Sequence, residues 1–330
     1  MIKAPPTPKG FRDIKPEIAK KRRETINKIV SVLEEYGFEP IETPTIEFAD
    51  TLKGKYGEEE RLIYEFTDRG GRKLALRYDL TVPLARYVAA YNPPFPFRRY
   101  QIGQVFRGEN PQKGRFREFT QFDFDTVGSA DLEEDALVVR VTLRCMRDLG
   151  LKDAVMLIND RTNFTNLPIE AIRAIDKINK IGEEGVVAEL VAGGLSEDQA
   201  KTAVEKIRSQ KPTSNLEQIF KILTEKYNLK EGVDFKFDPT LARGLDYYTG
   251  TIFELKLDQD PTSLAVGGGG RYDNLIGAFV YPSPTGAGTK KEYLPDGSHG
   301  RQVPAVGFSF GLDRLLETLS LDEVVKKLTS

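Results

Sequence analysis

Two carboxylates alternate with aromatic residues in the segment TQFDFDT at 120–126. Successive side chains of a β-strand point to opposite faces, so Gln121, Asp123 and Asp125 share one face and the two phenylalanines share the other. A solvated polar face is the ordinary explanation of such a pattern. Further aromatic residues flank this segment, which favours a polar face that lines a pocket. Two carboxylates in a pocket would bind a cationic or N–H-rich ligand.

An arginine-rich loop precedes this strand, in FRGENPQKGRFREF at 106–119. It contains Arg107, Arg115 and Arg117, and the dipeptides Asn-Pro and Lys-Gly within it favour turns. Because a guanidinium presents a planar pair of donors, several of them on one hairpin suit a phosphate group. An exposed charged turn would explain the loop equally well if it stood alone.

Small residues line one face of the strand predicted at Ala305–Phe310. Ala305, Gly307 and Ser309 alternate there with larger apolar residues, and Arg314 follows in the first turn of a leucine-rich helix. A face of small residues lets a flat or bulky group approach the backbone closely. Packing explains the leucines of this helix, but it does not explain the small residues followed by an arginine.

Two further segments combine glycine with reactive side chains, LARGLDYYTG at 241–250 and AVGGGGRYD at 265–273. The first carries Arg243, Tyr247 and Tyr248 beside its two glycines. The second contains four consecutive glycines, which predict a flexible loop. Neither segment matches the glycine spacing of a Walker A loop or of a Rossmann unit, so neither nucleotide-binding fold is predicted.

These groups must be positioned by a mixture of helices and strands. Apolar residues at three- and four-residue steps predict a helix from Pro16 to Tyr36, followed by an extended, proline-containing segment at 38–46 that suits an edge or interface strand. Further strands are predicted at Ala75–Arg77, Gln101–Arg107, Phe119–Val127, Tyr248–Leu257 and Ala305–Phe310, and further helices at Leu80–Tyr91 and from a Ser129 N-cap to Gly150.

The composition changes near residue 166, where helical stretches with few aromatics run to residue 232 before a β-rich pattern returns at Phe235. This predicts an α+β protein with an α-helical insertion. The predicted domains are 1–165, 166–232 and 233–330. The alternative is that the helical segment packs on the main core.

Composition limits the chemistry. The chain has 330 residues, a formal charge of −2, one Cys and one His. These counts exclude a disulfide framework, Cys- and His-rich zinc sites and a strongly basic nucleic-acid coat. A histidine-dependent mechanism would rest on His299, for which we propose no function. With no apolar run of about 18 residues, we expect no membrane segment and a cytoplasmic protein.

Taken together, these segments resemble the histidyl-tRNA synthetases, a family of class II aminoacyl-tRNA synthetases. The helix and proline-containing strand at 16–46 resemble motif 1, which forms the dimer interface in the family. FRGENPQKGRFREFTQFDFD resembles motif 2, VGFSFGLDRL resembles motif 3, and the two glycine-containing segments resemble the histidine-specific signatures. LRYDLT and QFDFD are similar to the archaeal and eukaryotic variety, in which Asp replaces the bacterial Glu at both positions.

The resemblance implies a class II antiparallel β-sheet of six or seven strands, flanked by helices, with an α-helical insertion domain. It implies that Asp79, Thr81 and Gln121 hold the α-amine of histidine, and that Asp125 and Tyr248 bind its imidazole beside Tyr247. The implied ATP-binding residues are Arg107, Glu109, Arg115, Phe119, Arg243 and Arg314. Arg107 and Arg243 are the implied catalytic residues. No metal ligand is implied, because Arg243 lies where other class II enzymes use a metal ion.

The implied partners are L-histidine, ATP with Mg²⁺, the acceptor end of tRNA(His) and a second copy of the chain bound through motif 1. The implied reaction forms histidyl-adenylate and transfers its acyl group to tRNA. Family members continue past motif 3 into an anticodon-binding domain, which we expect to be absent because the sequence ends at Ser330. A histidine-sensing regulatory subunit of ATP phosphoribosyltransferase is the alternative; the retained arginines speak against it.

Overall fold

The computed structural model describes residues 5–110, 116–165, 167, 169–243, 247–258, 263, 265–279 and 302–319. The chain divides into two compact units. The described residues of 1–93, 98–124 and 309–330 form the first unit, and those of 94–97 and 125–308 form the second.

The α+β prediction is confirmed. The strands are β1 Glu39–Pro40, β2 Ile46–Phe48, β3 Glu65–Thr67, β4 Lys73–Leu76, β5 Phe97–Phe106, β6 Glu118–Val127, β7 Val155–Asp160, β8 Phe235–Phe237, β9 Thr251–Lys256, β10 Gly267–Arg271 and β11 Ala305–Gly311. The helices are α1 Pro16–Glu35, α2 Ala49–Leu52, α3 Thr81–Tyr91, α4 Leu132–Asp148, α5 Ile169–Ile175, α6 Ile178–Ala192, α7 Glu197–Arg208 and α8 Ser214–Glu225, and a further helix lies at 312–319.

The main sheet has eight strands in the order β1-β5-β6-β11-β10-β9-β7-β8, and a smaller sheet has the order β2-β4-β3. The edge pairs β1–β5 and β7–β8 are parallel, while β7–β9 and β9–β10 are antiparallel. The expectation of six or seven antiparallel strands is therefore corrected to a mixed sheet of eight. Parallel neighbours need a long crossover connection, and each edge pair is joined by a long segment that contains helices.

The four-glycine segment is a strand, so the prediction of a flexible loop was wrong. Gly267–Gly270 pair with Leu255, Glu254, Phe253 and Ile252 of β9. Glycine is required here for close approach, because a Cβ atom on Gly269 would lie 2.0 Å from the carbonyl oxygen of Gly307. The ladder hydrogen bonds order a backbone that would be flexible alone.

Helix boundaries mostly follow the sequence. Helix α1 ends one residue before the predicted Tyr36, and Gly37 follows with φ 77°, a left-handed conformation that glycine adopts without strain. Helix α4 begins later than predicted, because Asp131 and not Ser129 is its N-cap; the Asp131 side chain accepts from the amide of Glu133.

The first unit has an aromatic core. The ring of Phe124 lies 5.3 Å from that of Phe38 and 6.0 Å from that of Phe310, between centroids. Helix α1 adds Ile29 and Leu33, both fully buried. Burial of such side chains is the main stabilising contribution, and it fixes β6 and β11 of this core, which carry several predicted site residues.

The second unit has a core that is shared between helices and strands. Residues of α5, α6 and α7 form one hydrophobic cluster with Leu157 of β7 and Ile252 of β9. Tyr248 belongs to the same cluster, and Tyr247 packs against it. The helical segment at 166–232 therefore contacts the stretch of chain that resembles a histidine signature.

Candidate active site

Asp79 is a buried carboxylate in the first unit with one oxygen occupied. Its Oδ1 accepts hydrogen bonds from Tyr56 Oη at 2.9 Å and from the amide of Val82 at 3.0 Å. Its Oδ2 has no hydrogen-bond partner within the part of the chain that the structure describes. Burial raises the pKa of Asp79, whereas the Val82 amide, Tyr56 and Arg107 lower it. Since Asp79 lies just before helix α3, the helix dipole also favours its ionised form.

Arg107 lies between two aromatic rings at the end of β5. Its guanidinium carbon is 4.3 Å from the ring centroid of Tyr78 and 5.1 Å from that of Phe119, and Nε donates to the carbonyl oxygen of Tyr78 at 3.3 Å. The Tyr78 hydroxyl donates in turn to Glu59. Burial alone would lower the pKa of Arg107, but Tyr78 and Glu59 raise it overall. Arg107 is therefore a fixed cation beside the exposed part of Phe119.

The polar face of β6 is buried, which excludes the solvated-face explanation. Gln121 and Asp123 are less than a tenth exposed. Gln121 Nε2 donates to Ser309 Oγ at 2.7 Å and to Asp123 Oδ1 at 3.4 Å. Its Oε1 is buried with no hydrogen-bond partner in the described ranges. The polar face of β6 thus contacts Ser309, on the small-residue face of β11.

Asp313 was not identified from the sequence, yet it fixes the helix that carries Arg314. Its Oδ2 accepts from the amide of Thr120 at 2.8 Å, and its Oδ1 accepts from Arg12 at 2.5 Å and from Arg22. One carboxylate thus joins α1, β6 and the helix at 312–319. Arg314, the next residue, is half-buried.

In the second unit, Asp125 is paired with a tyrosine. Tyr272 Oη donates to Asp125 Oδ1 at 2.5 Å, and both side chains are buried. The ring of Tyr247 lies 6.0 Å from that of Tyr272, edge-on, and 4.9 Å from that of Tyr248, between centroids. The structure thus brings together three predicted residues, Asp125, Tyr247 and Tyr248, and adds Tyr272 to them.

Arg243 lies over the glycine strand β10. A Cβ atom on Gly268 would lie 2.5 Å from Arg243 Nη1, and Glu254 Oε2 is 3.8 Å from the same nitrogen. Burial would lower the pKa of Arg243, but Tyr248, Glu254 and Asp176 raise it overall. The guanidinium is therefore cationic and held in place by its surroundings.

A buried ion pair supports the residue before Tyr272. Arg271 donates to Asp135 through Nε at 3.2 Å and also through Nη2, and Nη1 donates to the carbonyl oxygen of Ser129 at 3.1 Å. Asp135 is fully buried. This pair ties the start of α4 to β10, and so fixes the backbone from which Tyr272 projects.

Other predicted residues have less defined settings. Arg115 and His299 lie outside the described residues. Glu109 is half-buried, and its carbonyl oxygen accepts from Arg117 Nε at 2.9 Å. Thr81 is buried as the first residue of α3. No group of three or more His, Cys, Asp or Glu residues placed to hold a metal ion occurs within the described ranges. No described helix is long and apolar enough to span a membrane.

Sequence comparison identifies relatives over most of the chain. The family model described as histidyl-tRNA synthetase matches residues 10–172 and 183–315. The histidine–tRNA ligase of Aeropyrum pernix is 41% identical over 342 residues, covering 95% of this chain and 74% of the relative. That of Korarchaeum cryptofilum is 38% identical, covering 94% of this chain and 74% of the relative.

Structure comparison gives the same result. A histidyl-tRNA synthetase from Nostoc sp. PCC 7120 superimposes with a TM-score of 0.76 at 29% identity, covering 97% of this chain and 76% of that one. A Bacillus halodurans protein described as an ATP phosphoribosyltransferase regulatory subunit/histidyl-tRNA synthetase has a TM-score of 0.72 at 23% identity, covering 95% of this chain and 83% of that one; it shares the fold. The chain belongs to the histidyl-tRNA synthetase family, as the extent and identity of these matches require.

Proposed function

We propose that this chain is a ligase that activates L-histidine with ATP and transfers the histidyl group to the 3′ end of tRNA(His). The observation that carries the proposal is Arg243, a partly buried cation that lies against the glycine strand β10 within a chain that belongs to the synthetase family. A histidine sensor would need one cation at most, to pair with the α-carboxylate of histidine, so Arg107 in addition to Arg243 favours an enzyme that also binds phosphates.

The first unit would supply the amine site. Asp79 leaves Oδ2 available to an ammonium group, and the buried Gln121 leaves Oε1 available to an N–H donor. Thr81 begins the helix that Asp79 precedes and would complete this part of the site. An ionised carboxylate, an amide oxygen and a threonine hydroxyl match the three donors of an ammonium group.

The second unit would supply the imidazole site. Asp125 would accept from an imidazole N–H, and Tyr248 would bind the ring beside it, with Tyr247 closing the pocket. The bond from Tyr272 holds Asp125 in a fixed orientation. A buried acceptor of this kind discriminates strongly, because an analogue without the N–H leaves the carboxylate unpaired.

The arginines would act on the phosphates. In the first step a carboxylate oxygen of histidine attacks the α-phosphorus of ATP, the bond to the bridging oxygen breaks, and pyrophosphate leaves with that electron pair. No general base is needed, because the attacking carboxylate is already ionised at neutral pH. Arg107 and Arg243 would neutralise charge on the α-phosphate, with Arg115 and Arg314 at the γ-phosphate end. ATP would enter as its magnesium complex, with Phe119 stacked on adenine and Glu109 near the adenine edge.

The second step would transfer the acyl group. A ribose hydroxyl of the terminal tRNA nucleotide attacks the carbonyl carbon of histidyl-adenylate, and AMP leaves as the bond to its phosphate oxygen breaks. Arg243 would again stabilise the leaving phosphate. The reaction belongs to cytoplasmic protein synthesis.

We also propose that two copies associate through the motif 1 region. The outer face of the sheet β2-β4-β3 exposes Ile46, Phe48 and Phe66, and Phe48 is 57% exposed. Leu74 of β4 pairs in register with both Phe48 and Phe66, which makes the apolar face continuous across the three strands. A clustered apolar face of this kind marks an interaction surface, and its position beside motif 1 favours a second copy as the occupant.

Histidine-dependent exchange of labelled pyrophosphate into ATP, with magnesium and without tRNA, tests the proposal. Exchange is expected with histidine and absent with other amino acids. Histidine binding without exchange would favour the regulatory-subunit alternative and would remove the roles given to the arginines.

A further inference from the structure

Tyr56 stands next to the proposed amine site but has no role in the function described so far. Its side chain is fully buried, and its hydroxyl donates to Asp79 Oδ1 at 2.9 Å. We infer that Tyr56 is a positioning residue, which holds the Asp79 carboxylate in the orientation that leaves Oδ2 for the amine of histidine. The inference rests on the proposed function, because it takes Asp79 as the acceptor of that amine.

Tyr56 is itself held in place by its surroundings. Its ring lies 4.6 Å from the ring of Tyr78, between centroids, at an interplanar angle of 46°. It directly precedes the 3-10 helix Gly57–Leu62, whose Leu62 carbonyl accepts from the amide of Gly108 at 2.8 Å. A buried ring with a fixed backbone directs its hydroxyl to one place, so the bond to Asp79 is an orienting contact.

The hydrogen bond from Tyr56 gives the two oxygens of Asp79 different roles: Oδ1 is held by the protein, and Oδ2 is left for the ligand. Tyr56 and the Val82 amide both donate to Oδ1, while Oδ2 has no partner among the described residues, although it is buried. An unpaired buried oxygen costs free energy, which a ligand with an N–H donor would recover. Without the tyrosine hydroxyl the carboxylate could rotate and share its charge between other donors.

Tyr56 also favours the ionised form of Asp79. The groups that act on this carboxylate are the Tyr56 hydroxyl, Arg107, and the amides of Thr81 and Val82 at the start of α3. Burial raises the pKa of Asp79, and these groups oppose the rise. Removing the hydroxyl removes one opposing contribution, so the pKa of Asp79 would rise further. Histidine binding needs the ionised carboxylate. As the pH is lowered, a protein without the Tyr56 hydroxyl would therefore lose histidine binding at a higher pH than the unmodified protein.

The test is Tyr56→Phe, which keeps the ring and its contact with Tyr78. Tyr100→Phe is the matched control, because Tyr100 is also buried and donates to a carboxylate, Glu34, at 2.9 Å. Histidine binding is measured by calorimetry across a pH series, together with binding of 3-(imidazol-4-yl)propanoate, which lacks the amine. The Michaelis constants for histidine and ATP are measured by pyrophosphate exchange.

Tyr56→Phe is expected to weaken histidine binding about 10- to 150-fold, since a hydrogen bond to a charged group contributes roughly 1.5–3 kcal/mol. The pH below which histidine binding is lost should rise in this variant. Binding of the propanoate analogue and the Michaelis constant for ATP should stay unchanged. In an Asp79→Asn background the same change should have a smaller effect, because the charge that Tyr56 orients is gone. Tyr100→Phe should match the unmodified protein in every measurement.

Equal losses for histidine and for the propanoate analogue would overturn the inference, because they would assign Tyr56 a general structural role. Unchanged histidine binding in Tyr56→Phe would overturn it too, and would leave the proposed function intact. An unmodified protein that neither binds histidine nor catalyses exchange would instead overturn the proposed function.

Discussion

The guanidinium of Arg243 occupies the space that a side chain on residue 268 would fill. A Cβ atom on Gly268 would lie 2.5 Å from Nη1 of this arginine, closer than atoms can approach without displacement. Gly268 pairs in register with Glu254 on the neighbouring strand, and Glu254 Oε2 is 3.8 Å from Nη1. Two paired strand positions therefore hold Arg243 in place. Gly268 leaves space for the guanidinium, and Glu254 provides a carboxylate close to it.

Replacing Gly268 with Ala should displace the Arg243 guanidinium. We expect adenylate formation to fall about 100-fold, since a misplacement of about 1 Å in a catalytic group has that effect. Pyrophosphate exchange measures the loss, and calorimetry with histidine and thermal unfolding serve as controls. Normal exchange in a folded Gly268→Ala protein would show that the position of Arg243 does not limit the reaction.

Replacing Glu254 with Gln tests whether its carboxylate helps to position Arg243. Loss of the carboxylate removes an attraction that orients Arg243, so kcat for exchange should fall about tenfold, equivalent to about 1.4 kcal/mol of transition-state stabilisation. The Michaelis constant for histidine should change little. Glu205→Gln, on the exposed face of α7, is the control and should be neutral. A change confined to the Michaelis constant would assign Glu254 to histidine binding instead.

Replacing Asp125 with Asn tests the imidazole assignment. The amide oxygen can still accept from Tyr272, but the negative charge is lost. Histidine affinity should fall about 10- to 150-fold, the equivalent of one hydrogen bond to a charged group, while ATP affinity stays the same. Calorimetry with each ligand decides the matter. Equal losses for both ligands would refute the role of Asp125 at the imidazole.

Replacing Asp135 with Ala breaks the buried pair with Arg271. Removing one partner of such a pair leaves an uncompensated buried charge, so the free energy of unfolding should fall by about 3–5 kcal/mol. Asp148→Ala removes an exposed ion pair with Arg144 on the same helix and should cost no more than about 1 kcal/mol. Chemical denaturation measures both. Similar values for the two variants would mean that water reaches Arg271.

Replacing Phe48 with Asp tests the association of two copies. A charge on the apolar face should convert the dimer to monomers in sedimentation velocity experiments. Val233→Asp is the control, because Val233 is also 57% exposed but is not one of the residues of that face. If the unmodified protein is monomeric at micromolar concentration, or if both variants dissociate alike, this face is not the interface.

Much of the fold could be predicted because local patterns determine it. Helical periodicity gave α1 to within one residue, and strand alternation gave β6 and β11. The strand β10 could not be predicted, because glycines have no side-chain pattern and the order of this segment comes from pairing with Leu255, Glu254, Phe253 and Ile252. Propensity is overridden wherever a neighbouring strand supplies the hydrogen bonds.

The site residues that lie within the family motifs were predicted from the sequence. The residues that position them from other parts of the chain were not. The motifs that predicted Asp79 and Arg314 did not predict Tyr56 or Asp313. Tyr56 contacts Asp79, which is 23 residues away in the sequence. Asp313 contacts Thr120, which is 193 residues away. Sequence spacing does not reveal such contacts.

The carboxylate of Asp313 has a consequence for the order of events during synthesis. Arg22 of α1 meets its ion-pair partner only when a residue 291 positions further along the chain has been made, and at about 5–20 residues per second that wait is roughly 15–60 s. Nearly all of the second unit leaves the ribosome within this interval. We therefore expect the second unit to become stable first, while the N-terminal helix stays exposed to proteases and chaperones until Asp313 has been made.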